Sequence, residues 1–131
     1  MDKGKLKKIL LVLGIGAMLF GAAVIYASPG TSKDPLVSLS YMEQHTKFTA
    51  IEVKSGTTII GKRGTEIILR AGGATIQSPS VHGLSDVTAG KDLKNGERVL
   101  RNHLLIVPRD GRGVKTTTTA TLMIKGEYTI K

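Results

Sequence analysis

Thr119-Ala120-Thr121-Leu122-Met123-Ile124-Lys125-Gly126-Glu127-Tyr128-Thr129-Ile130 alternates through its first half, with Ala120, Leu122 and Ile124 set against Thr121, Met123 and Lys125. Extended backbone sends successive side chains to opposite faces, so this spacing predicts a half-buried strand, with Gly126 allowing a bulge before the run resumes. The same alternation occurs at Thr49, Ile51 and Val53 against Phe48, Ala50 and Glu52, and Ser55-Gly56 ends that run with turn chemistry.

Outward from these two runs the composition stays of one kind. Residues 28–131 contain 30 Val, Ile and Thr against 16 Leu, Ala and Met. Branching at Cβ restricts χ1 and suits a pleated, packed surface better than a helix, so the segment reads as mostly β. Thr57–Ile60 and Thr65–Ala71, separated by Gly61-Lys62-Arg63-Gly64, are expected to form a hairpin. Gly72-Gly73 then turns the chain into Ala74–Gln77, and Leu104–Val107 reads as an apolar strand buried on both faces and ended by Pro108. Residues 78–103, broken by Pro79, Gly83, Gly90 and Asn95-Gly96, are long for a structureless connection and mark the place where function usually sits. The expected architecture is a small barrel or sandwich of about six or seven short strands over residues 47–131, an extracytoplasmic β domain. Before it, residues 28–46 form a linker and a short helix or extended arm, with Pro35 at a first helical turn.

At the amino terminus Lys3, Lys5, Lys7 and Lys8 precede 19 uncharged residues, Ile9–Ala27. As a helix this run is about 28 Å long, close to the roughly 30 Å hydrocarbon thickness of a bilayer. Residues 1–27 are therefore expected to be a signal-anchor or signal-peptide helix, the fold's one N-terminal hydrophobic helix. The lysines favour a cytoplasmic amino terminus, leaving the remainder outside the cytoplasmic membrane or secreted after cleavage near Ala27.

The chain has no Cys, which excludes disulfide frameworks, thiolate metal sites and thiol nucleophiles. His45, His82 and His103 lack any metal-ligand spacing, so no metal site and no cofactor is expected. His82, Ser85 and Asp86 lie close in sequence but without a nucleophile-elbow context, and turn formation explains them equally well; no catalytic residue is assigned. Residues 28–131 hold 15 basic and 9 acidic side chains, a net of +6. Arg98, Arg101, Arg109, Arg112 and Lys115 fall within one stretch whose only acids are Glu97 and Asp110, and they are the candidate contact for an anion or a partner. Glu97–Lys115 contains no aromatic platform, so nucleic acid is not an expected partner.

Gly64-Thr65-Glu66-Ile67-Ile68-Leu69-Arg70-Ala71-Gly72, then Gly83-Leu84-Ser85-Asp86-Val87-Thr88-Ala89-Gly90-Lys91-Asp92-Leu93, Asn102-His103-Leu104-Leu105-Ile106-Val107-Pro108-Arg109-Asp110-Gly111-Arg112-Gly113 and Gly126-Glu127-Tyr128-Thr129-Ile130 resemble a family of uncharacterised exported proteins of spore-forming Gram-positive bacteria. Asp34-Pro35-Leu36-Val37-Ser38-Leu39-Ser40-Tyr41 also looks like the start of their exported part. The resemblance implies an envelope location and a shared β module and names no catalytic residue. A fainter similarity of Asp86–Leu105 to SAF-type β-clip modules carries less weight. The expected function is a non-enzymatic cell-envelope module that binds an anionic wall polymer, another anionic envelope component or a protein partner. The membrane is contacted through the amino-terminal helix. Two alternatives stand beside this reading: a self-assembling surface or filament subunit, a homo-oligomer prompted by the threonine-rich Thr116–Thr121, and a small envelope hydrolase.

Overall fold

The computed structural model describes residues 2–5, 7 and 36–131. The expected membrane helix over Ile9–Ala27 and the linker before residue 36 lie outside the described residues, and among the described residues no helix is long and apolar enough to cross a membrane. Met1–Val37 and Ser38–Lys131 are separate compact units, and the second holds the β domain.

Its chain order is α1 (Leu39–Thr46), β1 (Thr49–Val53), β2 (Thr58–Gly61), β3 (Glu66–Ala71), β4 (Ala74–Gln77), β5 (His82–Asp86), β6 (Lys91–Lys94), β7 (Leu104–Ile106), β8 (Arg112–Thr116), β9 (Ala120–Lys125) and β10 (Tyr128–Ile130). The fold is mostly β, as expected, with ten strands among the described residues rather than six or seven. They form a six-stranded sheet in the order β1-β9-β3-β7-β5-β6 and a four-stranded sheet in the order β10-β2-β8-β4, and neither closes into a barrel.

The additional strands are β5, β6 and β8, together with the division of the last run at Gly126, and glycine-marked turns pass the chain from one sheet to the other. Gly61–Gly64 was expected to close a hairpin, yet β2 pairs with β8 and β10 while β3 pairs with β7 and β9. Gly72-Gly73 likewise separates β3 from β4 in the opposite sheet. At Gly72 φ is +81°, and a Cβ there would run into the Thr119 carbonyl oxygen and the Ala120 Cα, so the corner admits only glycine. Gly126 is a third such corner: the expected continuous strand Thr119–Ile130 divides there into β9 and β10, which lie in different sheets. Residues 78–103 are also ordered, as the β5–β6 hairpin followed by a bridge between Thr75 and Arg98.

Both sheets bury their inward faces in one core. Ile67, Leu69, Leu105, Leu122 and Ile124 come from the larger sheet, and Ile59, Ala74, Ile76 and Val114 from the smaller. The strict alternation read from Ala120–Lys125 is observed, each inward residue buried and each outward residue half-buried. Removing such a branched side chain from water stabilises the fold by about 2 kcal/mol. β7 departs from expectation: Leu105 and Val107 are buried, but Leu104 and Ile106 are half-buried on the outer face. Leu104 opposes Ile68 across the β3–β7 pair, and Ile68 in turn opposes Met123, so three apolar side chains sit side by side on that face.

α1 starts at Leu39 with Ser38 as N-cap, so the first helical turn is not at position 35, which itself lies outside the described residues. The Tyr41 N–H donates to Ser38 Oγ at 3.2 Å. The helix buries no residue. It is tied to the corner after β9 by the Gly126 N–H, which donates to the Gln44 carbonyl at 2.9 Å.

Candidate anion-binding surfaces

The five basic residues singled out in the sequence occupy two separate places. Arg109 and Arg112 line a cleft of ≈ 350 Å³ together with His82, Ser85, Asp92 and Lys94. The cleft is built by an irregularity in the β5–β6 pairing, whose register shifts between His82 and Ser85. Gly83 and Leu84 are consecutively buried at that shift, and a Cβ on Gly83 would meet Ile76 and the Leu93 carbonyl. The Gly83 carbonyl accepts a hydrogen bond from Arg112 Nη1 at 3.0 Å, which orients the half-buried guanidinium. Ser85 and Asp92 face each other across the hairpin, and Ser85 Oγ donates to Asp92 Oδ1 at 2.7 Å. With histidine counted as neutral, Lys94, Arg109 and Arg112 stand against one carboxylate that a hydroxyl already occupies. Such a cleft attracts anions, and arginine donors suit the paired oxygens of carboxylate or phosphate.

Arg98 and Arg101 instead border a depression of ≈ 360 Å³ beside Gly72, Gly73, Thr75 and Thr117. Arg101 Nε donates to the Gly72 carbonyl at 3.2 Å. Lys115 lies exposed on β8, opposite Thr58 of β2 and Thr75 of β4. Nearness in sequence therefore did not make one patch. Lys94 was not singled out from the sequence, where the Asn95-Gly96 turn after it is the only local signal; His82 and Ser85, weighed there with Asp86 as a catalytic set, both line the cleft.

Four acids divide between strands and connections, Asp86 and Asp92 on strands and Glu97 and Asp110 outside them. Asp86 ends β5 and Asp92 sits on β6. Asp86 is 1% exposed, and its Oδ2 lies 2.8 Å from His103 Nδ1; an ionised carboxylate only accepts, which assigns the proton to Nδ1. Oδ1 accepts from the Ala89 N–H at 2.9 Å. Burial works to raise the pKa of Asp86, but the Ala89 N–H, the hydrogen bond and charge of His103, and the Thr88 N–H together outweigh it and hold the carboxyl below its ordinary value. Glu97 accepts from the Lys94 N–H at 2.9 Å and Asp110 from the Arg63 N–H at 2.7 Å. Among the described residues no three His, Asp or Glu side chains gather as metal ligands.

In comparisons with known proteins, the chain matches no family model, no curated protein and no solved structure.

Proposed function

We propose that this protein is a non-enzymatic module of the cell envelope that binds an anionic envelope component or an acidic partner. The observation that carries the reading is the convergence of Lys94, Arg109 and Arg112 on one cleft whose single carboxylate is already engaged by Ser85. Display outside the cytoplasmic membrane draws on the uncharged run Ile9–Ala27 behind four lysines and on the resemblance to exported proteins. In this reading residues 1–27 anchor the module, or release it after cleavage near Ala27.

The test changes Arg98, Arg101, Arg109 and Arg112 to Ser together and measures retention on isolated cell wall at low salt. Retention is expected to fall; unchanged retention removes the contact idea. The hydrolase alternative has less support, because Ser85 bonds to Asp92 while Asp86 bonds to His103, and serine, imidazole and carboxylate do not fall into one relay. Self-assembly draws on β1, a five-residue strand at the edge of its sheet. The other edges are blunted: β6 carries Lys91 and Lys94, β10 has three residues, and β4 is bridged along its free side by Glu97, Arg98 and Val99. Sedimentation of the full chain across a concentration series tests assembly, and a strict monomer ends it.

A further inference from the structure

The outer face of the four-stranded sheet carries an arrangement that becomes visible only when its register is followed from edge to edge. Lys131 exchanges both backbone hydrogen bonds with Thr58, each at 2.9 Å. Thr58 opposes Lys115, Lys115 opposes Thr75, and Thr75 bridges to Arg98. Directly opposed residues in antiparallel strands share a face. The neighbours Ile59, Ile76, Val114 and Val99 are buried, which turns this row outward. The result is a ladder across the sheet: Lys131, Thr58, Lys115, Thr75, Arg98. Arg101 stands beyond it, in the depression it shares with Arg98 and Thr75.

Adjacent strands are about 4.8 Å apart, so cations on alternate strands recur about every 10 Å. Among the described residues Lys115, Lys131 and Arg98 have no ion-pair partner, and the hydroxyls of Thr58 and Thr75 are engaged by no other group. An anion over Lys115 would therefore meet an ammonium and a free hydroxyl on either side. The adjacent outward row, Thr129, Ile60, Gly113 and Gln77, adds no acid and no aromatic ring.

We propose that this ladder binds a linear phosphodiester polymer laid across the strands, in which polyol or sugar spacers separate successive phosphates. Charge density carries the choice. Duplex DNA carries one charge about every 1.7 Å of helix axis, both strands counted, a denser linear charge than cations about 10 Å apart, and the face offers bases no stacking surface. A phosphodiester also carries its charge within the chain, so a polymer following the ladder keeps each charge beside a cation. The proposal goes beyond the cleft reading above, because it assigns this polymer to a second surface, the open sheet face, whose residues are not those of the cleft.

The experiment measures binding of poly(ribitol phosphate) to the full chain in nonionic detergent at low salt. It compares three variants: R98S/K115S/K131S on the ladder, R109S/R112S in the cleft, and K54S/R70S/K91S, which removes the same charge from exposed sites elsewhere. The ladder variant is expected to lose affinity about tenfold, the loss typical of a few screened charge contacts, and the charge-matched variant far less. Equal losses in those two variants overturn the ladder in favour of net charge. A loss confined to R109S/R112S overturns the ladder and leaves the cleft reading standing. Unchanged binding in every variant removes both. Duplex DNA binding as tightly as the polymer at equal phosphate concentration overturns the sparse-charge argument.

Discussion

At the scale of single residues, Asp86 and Gly72 show how a polar group and an absent side chain each hold a place in the core. The Asp86 carboxyl is buried and ionised, kept so by His103 and two backbone N–H groups. Its pKa in the folded protein lies below the ordinary 3.8, so the unfolded chain binds the proton more readily. The stability it contributes is present above about pH 4 and is lost as pH falls through the lower, folded value. Asp86→Asn is expected to cost about 1–3 kcal/mol near neutrality and to flatten the acid limb of a plot of denaturation midpoint against pH, read by urea melts. Gly72 makes a paired test with Gly56. Both have φ above +80°, but a Cβ on Gly72 strikes backbone atoms whereas one on Gly56 meets nothing within 4 Å. Gly56→Ala is expected to cost about 1–2 kcal/mol from backbone strain alone, and Gly72→Ala distinctly more, measured as the difference between their unfolding free energies.

At the scale of elements, strands were legible where burial is one-sided, and their partners were not. Ala120, Leu122 and Ile124 announce a strand because water lies on one side of it and the core on the other. Gly61–Gly64, Gly72-Gly73 and Gly126 announce only that the backbone turns. A hairpin and a sheet-crossing corner need the same conformational freedom, and long-range pairing chooses between them. Leu122 sits fully buried on β9, the strand that joins β1 to β3. Leu122→Ala is expected to cost about 2–5 kcal/mol in equilibrium unfolding, because the surrounding sheets cannot collapse into the void. The exposed helix α1 contrasts with it. Ser38→Ala is expected to remove about 1 kcal/mol of helix stability, visible as faster amide exchange at Met42 with little change in global unfolding.

At the scale of the whole molecule, basic charge is distributed over two surfaces with different shapes, a cleft between β5, β6 and β8 and an open sheet face. Attraction that works through exposed charges is shortened by salt, from a screening length of about 10 Å at 0.1 M to about 3 Å at 1 M. Retention on isolated wall is therefore expected to fall steeply across that range for the unaltered protein and to be weak throughout for the quadruple arginine variant. Retention independent of salt would point to apolar contact instead.

That the chain after residue 46 is β-rich, lacks thiol chemistry and carries a basic surface can be read from the residues in order. Each of these follows from local side-chain shape or from counting charges, neither of which needs a partner. Folding in three dimensions sets which strands are neighbours, parts Arg109 and Arg112 from Arg98, Arg101 and Lys115, and brings Lys131 into line with Lys115 and Arg98. Antiparallel register aligns residues far apart in the chain, and no spacing along the chain encodes that alignment.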